Sequence, residues 1–308
     1  MADFSKWVAA APDEPVAAVA QRSLRTRLEA VQRFLEQAAL RWQEDPEHVH
    51  QLRVWTRRTV AALDLYQPLL PTRRGKRLKK HLKQIRRAAN DARDDDVFAE
   101  RLARDQSDPG ARQLLETVLQ HRQQAQQPVR QVFERFGPRG RLARRTRQLR
   151  KRIGTGPRKA QGTTPFSTWA AAQLHDAVHD FFQTADQELA DWYQLHRLRI
   201  AGKHLRYTVE LLSAAFPKKL RDQAYPLIRD LQDRLGIIND HATAHDRLQH
   251  WIEQTATDTV RAYLEQRLQT EAHLAAKRHQ QFLDWWNNRR AAELHQALQQ
   301  AFLAKRDR

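Results

Sequence analysis

HQLRVWTRRTVAALDLYQPLLP, residues 50–71, returns 146 residues later and without a gap as HRLRIAGKHLRYTVELLSAAFP, residues 196–217. The register pairs His50 with His196, Leu52 with Leu198, Arg53 with Arg199, Val54 with Ile200, Arg57 with Lys203, Leu65 with Leu211 and Pro71 with Pro217. It continues through Leu82/Ile228, Lys83/Arg229, Ile85/Leu231, Asp94/Asp240, Arg101/Arg247 and Leu102/Leu248. One frame held over that length reads as duplication of a structural unit.

Outward from the repeat, the chain reads as helix. Glycine and proline together are only 21 of 308 residues, below the usual share of about 12 %. Leucine outnumbers valine and isoleucine combined, a balance that favours helix over strand. Five of the nine glycines and three of the twelve prolines fall within residues 137–165, the expected linker. It is basic: RLARRTRQLRKR, residues 141–152, carries seven Lys or Arg and no acid, and reads as a short helix or a mobile basic arm. The expected fold is all-α, with one helical bundle over residues 1–136 and its pseudo-symmetric partner over 166–308. About four helices per half are expected, with boundaries at Asp45-Pro46, Pro68 to Pro71, Asp108-Pro109-Gly110, Pro217 and Gly236.

Fifty-four Lys and Arg against 36 Asp and Glu give a formal charge of +18 and a sequence pI near 10.8. A polyanionic partner is the first expectation. The chain has no cysteine, which excludes disulfides, thiol nucleophiles and Cys-based zinc sites. Mean hydropathy is −0.80, no 18-residue apolar run exists, and the first residues do not resemble a secretory signal. A cytoplasmic protein without a membrane partner is therefore expected.

The repeat also places charge. At 100° per residue, His50, Arg53 and Arg57 fall within about 60° of one another, as do His196, Arg199 and Lys203. Arg58 widens the first stripe and Arg206 the second. On the following segment Lys76, Lys80, Lys83, Arg87, Asn90 and Asp94 share a narrow face, with Leu78, Leu82, Ile85 and Ala89 opposite and turned to the core. The copy keeps the apolar side, Leu227, Leu231, Leu235 and Ile238, but mixes Arg229 with Asp233 and Asp240 on the polar one. Two like charges about 4 Å apart repel by roughly 1 kcal/mol in water and about 4 kcal/mol at an effective dielectric near 20. A bound anion offsets that repulsion. For any single Lys or Arg a solvated, salt-bridged face is sufficient explanation; the duplicated register singles out these positions.

Two HxLR[VI]xx[RK] stretches, each followed some forty residues on by an Asp-bearing segment (ARDDDV from Ala92, and LGIIND from Leu235), resemble the CHAD family, the conserved-histidine α-helical domain. The resemblance implies paired helical bundles with a basic groove or pore between them, and a non-catalytic domain that binds inorganic polyphosphate and associates with polyphosphate granules. Carried over by position, it implies contacts from His50, Arg53, Arg57, Arg58, Lys83, His196, Arg199, Lys203, Arg206 and Arg229. Lys76, Lys80 and Arg87 complete the expected binding set by sharing the face of Lys83. Asn90 stands where glycine is usual in the first half, a substitution that left-handed backbone tolerates, and His204 where Arg or Lys is often found. The Glu-x-Glu-x-Lys mark of the triphosphate-tunnel domain that precedes many members is absent, so a stand-alone module is expected.

Polyphosphate is a flexible chain with about one charge per residue and no bases, so its recognition needs cations along a path; arginine grips two oxygens and lysine acts as a point charge. The histidines, ordinarily near pKa 6.5, predict stronger binding below about pH 6.5. Asp94 and Asp240 read as residues that hold Arg or Lys side chains in place, with Mg²⁺ collection as the alternative. His175/His179 and His241/His245 have helical metal spacing but lack the Glu of HExxH and a third ligand, so no metal or cofactor is expected. No glycine-rich phosphate loop or nucleophile elbow marks an enzyme. The rival readings are a nucleic-acid binder, for which DNA or RNA would be the weaker competitor under the leading reading, and a Mg²⁺-dependent phosphoryl-processing enzyme.

Overall fold

The computed structural model describes residues 4–137, 140–255 and 257–303. Pro138 and Arg139 of the expected linker, and residues 1–3, 256 and 304–308 of the expected halves, lie outside the described residues. The helices are α1 (Val16–Leu40), α2 (Glu47–Leu65), α3 (Thr72–Ala88), α4 (Asn90–Arg104), α5 (Pro109–Gln124), α6 (Gln126–Phe136), α7 (Arg141–Arg150), α8 (Lys159–Gly162), α9 (Phe166–Ala185), α10 (Trp192–Leu212), α11 (Tyr225–Gln254), α12 (Asp258–Trp285) and α13 (Asn288–Leu303). The chain is all-α; among the described residues an isolated bridge between Pro15 and Pro165 is the sole strand-like pairing. No described helix is long and apolar enough to cross a membrane.

Contacts divide the chain into two compact units. The first contains the residues up to Gln106 and Leu114–Trp169; the second contains Ser107–Gln113 and the residues from Ala170 onward. In the first unit, α1 buries Val16, Val19, Ala20, Leu24, Leu28, Val31 and Leu35 at three- and four-residue spacing. It packs against Leu52, Trp55, Thr56, Thr59 and Leu63 of α2. Each Val or Leu removed from water there contributes about 1.5–3 kcal/mol. Arg27 sits inside this core, its guanidinium donating to Ser23 Oγ at 3.0 Å and the Lys6 carbonyl at 2.8 Å. The charge is thereby hydrogen-bonded, as burial demands.

Residues 141–150 of the expected linker form a helix of this unit. Leu142, Thr146 and Leu149 are buried, and α7 packs on α1 and α3. The helix is amphipathic, with Arg141, Arg144 and Arg147 exposed opposite these three.

In the second unit α11 packs between α10 and α12. A π-helical turn at Leu220–Ala224 leads into α11 and carries α13 against it. Asp191 caps α10 by accepting from the Gln194 amide at 2.7 Å, which satisfies one of the free N–H groups at a helix start.

Three sequence expectations are corrected here. The face from Lys76 to Asp94 is not one helical face: α3 stops at Ala88, Ala89 sits at φ −96°, ψ 5°, and α4 starts at Asn90. Neither glycine nor proline marks the break, so helical periodicity runs across it unseen. Conversely, Gly236 ends nothing, because the 30-residue α11 runs straight through it. The buried Leu231, Leu235, Ile238 and Leu248 outweigh the cost of about 1 kcal/mol of one helical glycine. Asn90 is not left-handed; no described non-glycine residue has positive φ.

Candidate functional site

In the first unit the repeat's cations converge. His50, Arg53 and Arg57 are half-buried on α2, and Arg86 of α3 and Arg93 of α4 add their charges to them. Arg53 donates from Nη1 to the Asn90 side-chain oxygen at the start of α4. Asp94, one turn on, supplies the opposing charge. Burial pushes the Arg53 guanidinium below its ordinary pKa; Asp94 counters this, while Arg57, Arg86 and Arg93 add to it. Burial likewise lowers His50, helped by Arg93, Arg57 and Arg53 and opposed by Glu47. The Nε of Arg57 is buried with no hydrogen-bond partner among the described residues. Burial, then Arg93 at His50 and Arg57, Arg86 and Arg93 at Arg53, thus work against these charges, a cost that an oxyanion among them relieves.

Arg58 lies over the Trp55 ring at 5.3 Å, a cation–π placement at the edge of this group. Lys76, Lys80, Lys83 and Arg87 are exposed on α3 and make no ion pair with described residues. Lys79, by contrast, is held by Asp64 at 2.5 Å. The apolar side of α3, Leu78, Leu82 and Ile85, is buried, so the helix presents a solvated row of cations.

The second unit has its own arrangement on α10 and α11. His196 and Arg199 line a narrow cleft with Trp192, Leu195, Leu235, Ile238 and Asn239. Lys203 and Arg206 follow along α10, both half-buried. Burial opposes the charge of Arg206, but Tyr207 and Glu210 more than offset it and hold its pKa above the ordinary value. Glu210 is buried and accepts from the Tyr225 hydroxyl at 2.7 Å. Arg229 is exposed on α11. Asp240 is exposed and makes no ion pair with described residues, so the two aspartates expected to orient cations differ in setting: Asp94 lies beside Arg53, and Asp240 has no such ionic neighbour.

Sequence reasoning missed Arg86 and Arg93 as members of the first cluster. The same register puts Gln232 and Asn239 at their counterparts, so a search for features common to both copies passes over them. The signal available was unit-specific: two further arginines bracketing the helix break at Ala89.

Of the metal-spaced histidines, His241 is committed to Glu271, with Nδ1 2.6 Å from Oε2. His175 and His179 are exposed. Among the described residues no group of three or more His, Asp or Glu is placed to hold a metal ion.

The fold and these surfaces define an all-helical domain with histidine-headed basic helices. A model of the CHAD domain family matches residues 22–249, and the chain belongs to that family. The fold is similar to the crystal structure of the CHAD domain from the plant Ricinus communis, with a TM-score of 0.74 at 20% identity over 97% of this chain and 96% of that one. It is also similar to PptA from Streptomyces chartreusis, with a TM-score of 0.58 at 18% identity over 94% of this chain and all of that one (100%). No curated protein matches the sequence.

Proposed function

We propose that this chain binds inorganic polyphosphate without turning it over, through the basic helix faces of its two units, and that this binding takes it to polyphosphate granules in the cytoplasm. The reading is carried by one observation: His50, Arg53 and Arg57 stand half-buried together on α2, with Arg86 and Arg93 adding positive charge beside them and Asp94 opposing it at Arg53. Phosphate oxygens offset the cost of burying these charges, and arginine grips them in pairs. The exposed row of Lys76, Lys80, Lys83 and Arg87 offers further contacts to a chain that needs no base-reading groups. Family membership supports the same ligand.

A second reading, single-stranded nucleic-acid binding, is favoured by Trp192 and Tyr193, 44% and 65% exposed at the start of α10, Trp192 in the cleft of His196 and Arg199. Exposed aromatics beside cations are the platform on which bases stack. Competition at moderate salt separates the two. Long-chain polyphosphate displaces a labelled oligonucleotide at sub-stoichiometric chain concentration, and the oligonucleotide fails to displace polyphosphate; the reverse order makes nucleic acid the ligand. Release of phosphate from polyphosphate with Mg²⁺ present would replace binding by turnover.

A further inference from the structure

A second concentration of positive charge lies in the first unit, on a different face of α3, where α6 and α7 meet it. His81 is 8% exposed, and its ring packs on Phe136 of α6 with centroids 4.7 Å apart. Arg145 of α7 lays Nη1 2.6–2.7 Å from the two ring nitrogens of His81. Arg135 covers the Phe136 ring at 5.2 Å. Two guanidinium groups thus bracket one aromatic pair. Neither they nor Arg77 and Arg144 make an ion pair with a described residue. Asp64 of α2 is held by Lys79, and Glu134 of α6 is exposed.

We propose that Arg77, Arg135, Arg144 and Arg145 form a phosphate-type oxyanion site, and that the anion draws Arg145 off the His81 ring and takes a hydrogen bond from that ring. The inference shares its ligand class with the proposed function but none of the α2 residues, so either can fail alone. The geometry couples the two events. Nη1 of Arg145 lies almost equally far from both ring nitrogens, so the guanidinium is held against the imidazole as a cation, a contact that a neutral ring accepts and an imidazolium repels. An oxyanion that takes Arg145 away removes that repulsion and accepts from a protonated ring.

The electrostatics agree. Burial, then Arg145, Arg135, Arg77 and Lys80, push His81 down to about 4. These face it from α3, α6 and α7, and Arg144 and Arg141 of α7 add their charge to Arg145. An anion among them reverses their effect and binds together with a proton, so affinity at this site rises as pH falls from 7 toward 5. The gain is at most about tenfold per pH unit, the limit for uptake of one proton.

The test is histidine-selective NMR on the full chain at pH 6, titrated with tripolyphosphate and separately with inorganic phosphate. We expect the His81 ring signals to move from the neutral to the protonated position. Arg77→Gln with Arg145→Gln should abolish the movement, and Arg53→Gln should leave it intact. A response to inorganic phosphate as well identifies a single-phosphate pocket; a response to tripolyphosphate alone identifies a foothold for a chain. Ring signals that stay still while calorimetry reports saturation overturn the proposal, as does an unchanged response in the double variant. A response to an RNA oligomer with none to tripolyphosphate also overturns it. His81→Phe, which keeps the stack on Phe136, should remove the site's share of the pH dependence, whereas retention of that share would contradict it.

Discussion

Gln232 of α11 lies directly over the Cα of Gly202 on α10: a Cβ built there would come within 2.3 Å of Gln232 Nε2 and 3.3 Å of its Cδ. The same amide reaches the Arg199 carbonyl at 3.4 Å. This close approach sets how α10 carries Arg199 and Lys203 relative to α11. Gly202→Ala must displace the end of the Gln232 side chain and its bond to the Arg199 carbonyl, a loss of about 0.5–1.5 kcal/mol partly offset by about 1 kcal/mol of helix propensity. The net cost should be no more than about 1 kcal/mol, recovered by Gln232→Ser. Gly236 is the contrast: a Cβ there meets nothing within 4 Å, so Gly236→Ala should stabilise the helix by about 0.5–1 kcal/mol. Denaturant melts of the variants check both signs.

Arg122 and Asp96 form a buried pair in the first unit, with Nε 2.5 Å from Oδ1 and Gln126 accepting from Nη1 at 3.1 Å. Burial raises the Asp96 pKa, and Arg122 only partly counters that. Removing one partner strands the other charge, so Arg122→Met or Asp96→Leu alone should each cost about 3–5 kcal/mol. The double variant should be more stable than either single one, and a double-mutant cycle measures the difference.

His50 predicts how binding responds to acid. Its pKa in the free protein lies below the ordinary histidine value, chiefly through burial and then Arg93. Protonation therefore favours the unfolded chain, and acidification below the ordinary histidine range destabilises the free fold. Bound polyanion raises the His50 pKa, so affinity should increase as pH falls from 7 toward 5.5, by at most about tenfold per unit. His50→Gln should flatten that part of the profile when titrations are repeated at constant ionic strength.

The fold class was legible because periodic leucines and scarce breakers leave little besides helix, and the duplicated His-x-Leu-Arg register located α2 and α10. Helix ends were harder. Ala89 breaks the chain between α3 and α4 without a breaker residue, since contacts such as Arg53 with Asn90 come from outside the segment. Gly236 stays helical because the apolar stripe around it is already buried. The candidate site was half legible: the repeat marked His50, Arg53 and Arg57, but Arg86 and Arg93 join them only through folding, and nothing in the sequence singles out His81.

Calorimetric titration of long-chain polyphosphate into three forms of the protein at about 0.15 M salt is the most direct test. The forms are the native chain, Arg53→Gln with Arg199→Gln, and a charge-matched control, Arg25→Gln with Lys277→Gln, both of whose native side chains are exposed. Charge-assisted hydrogen bonds of about 1.5–3 kcal/mol each predict that the first double variant loses at least about tenfold in affinity for each arginine, while the control stays within about threefold. Equal losses in the two double variants would mean that the +18 charge attracts polyanions diffusely and would contradict a built site on α2 and α10.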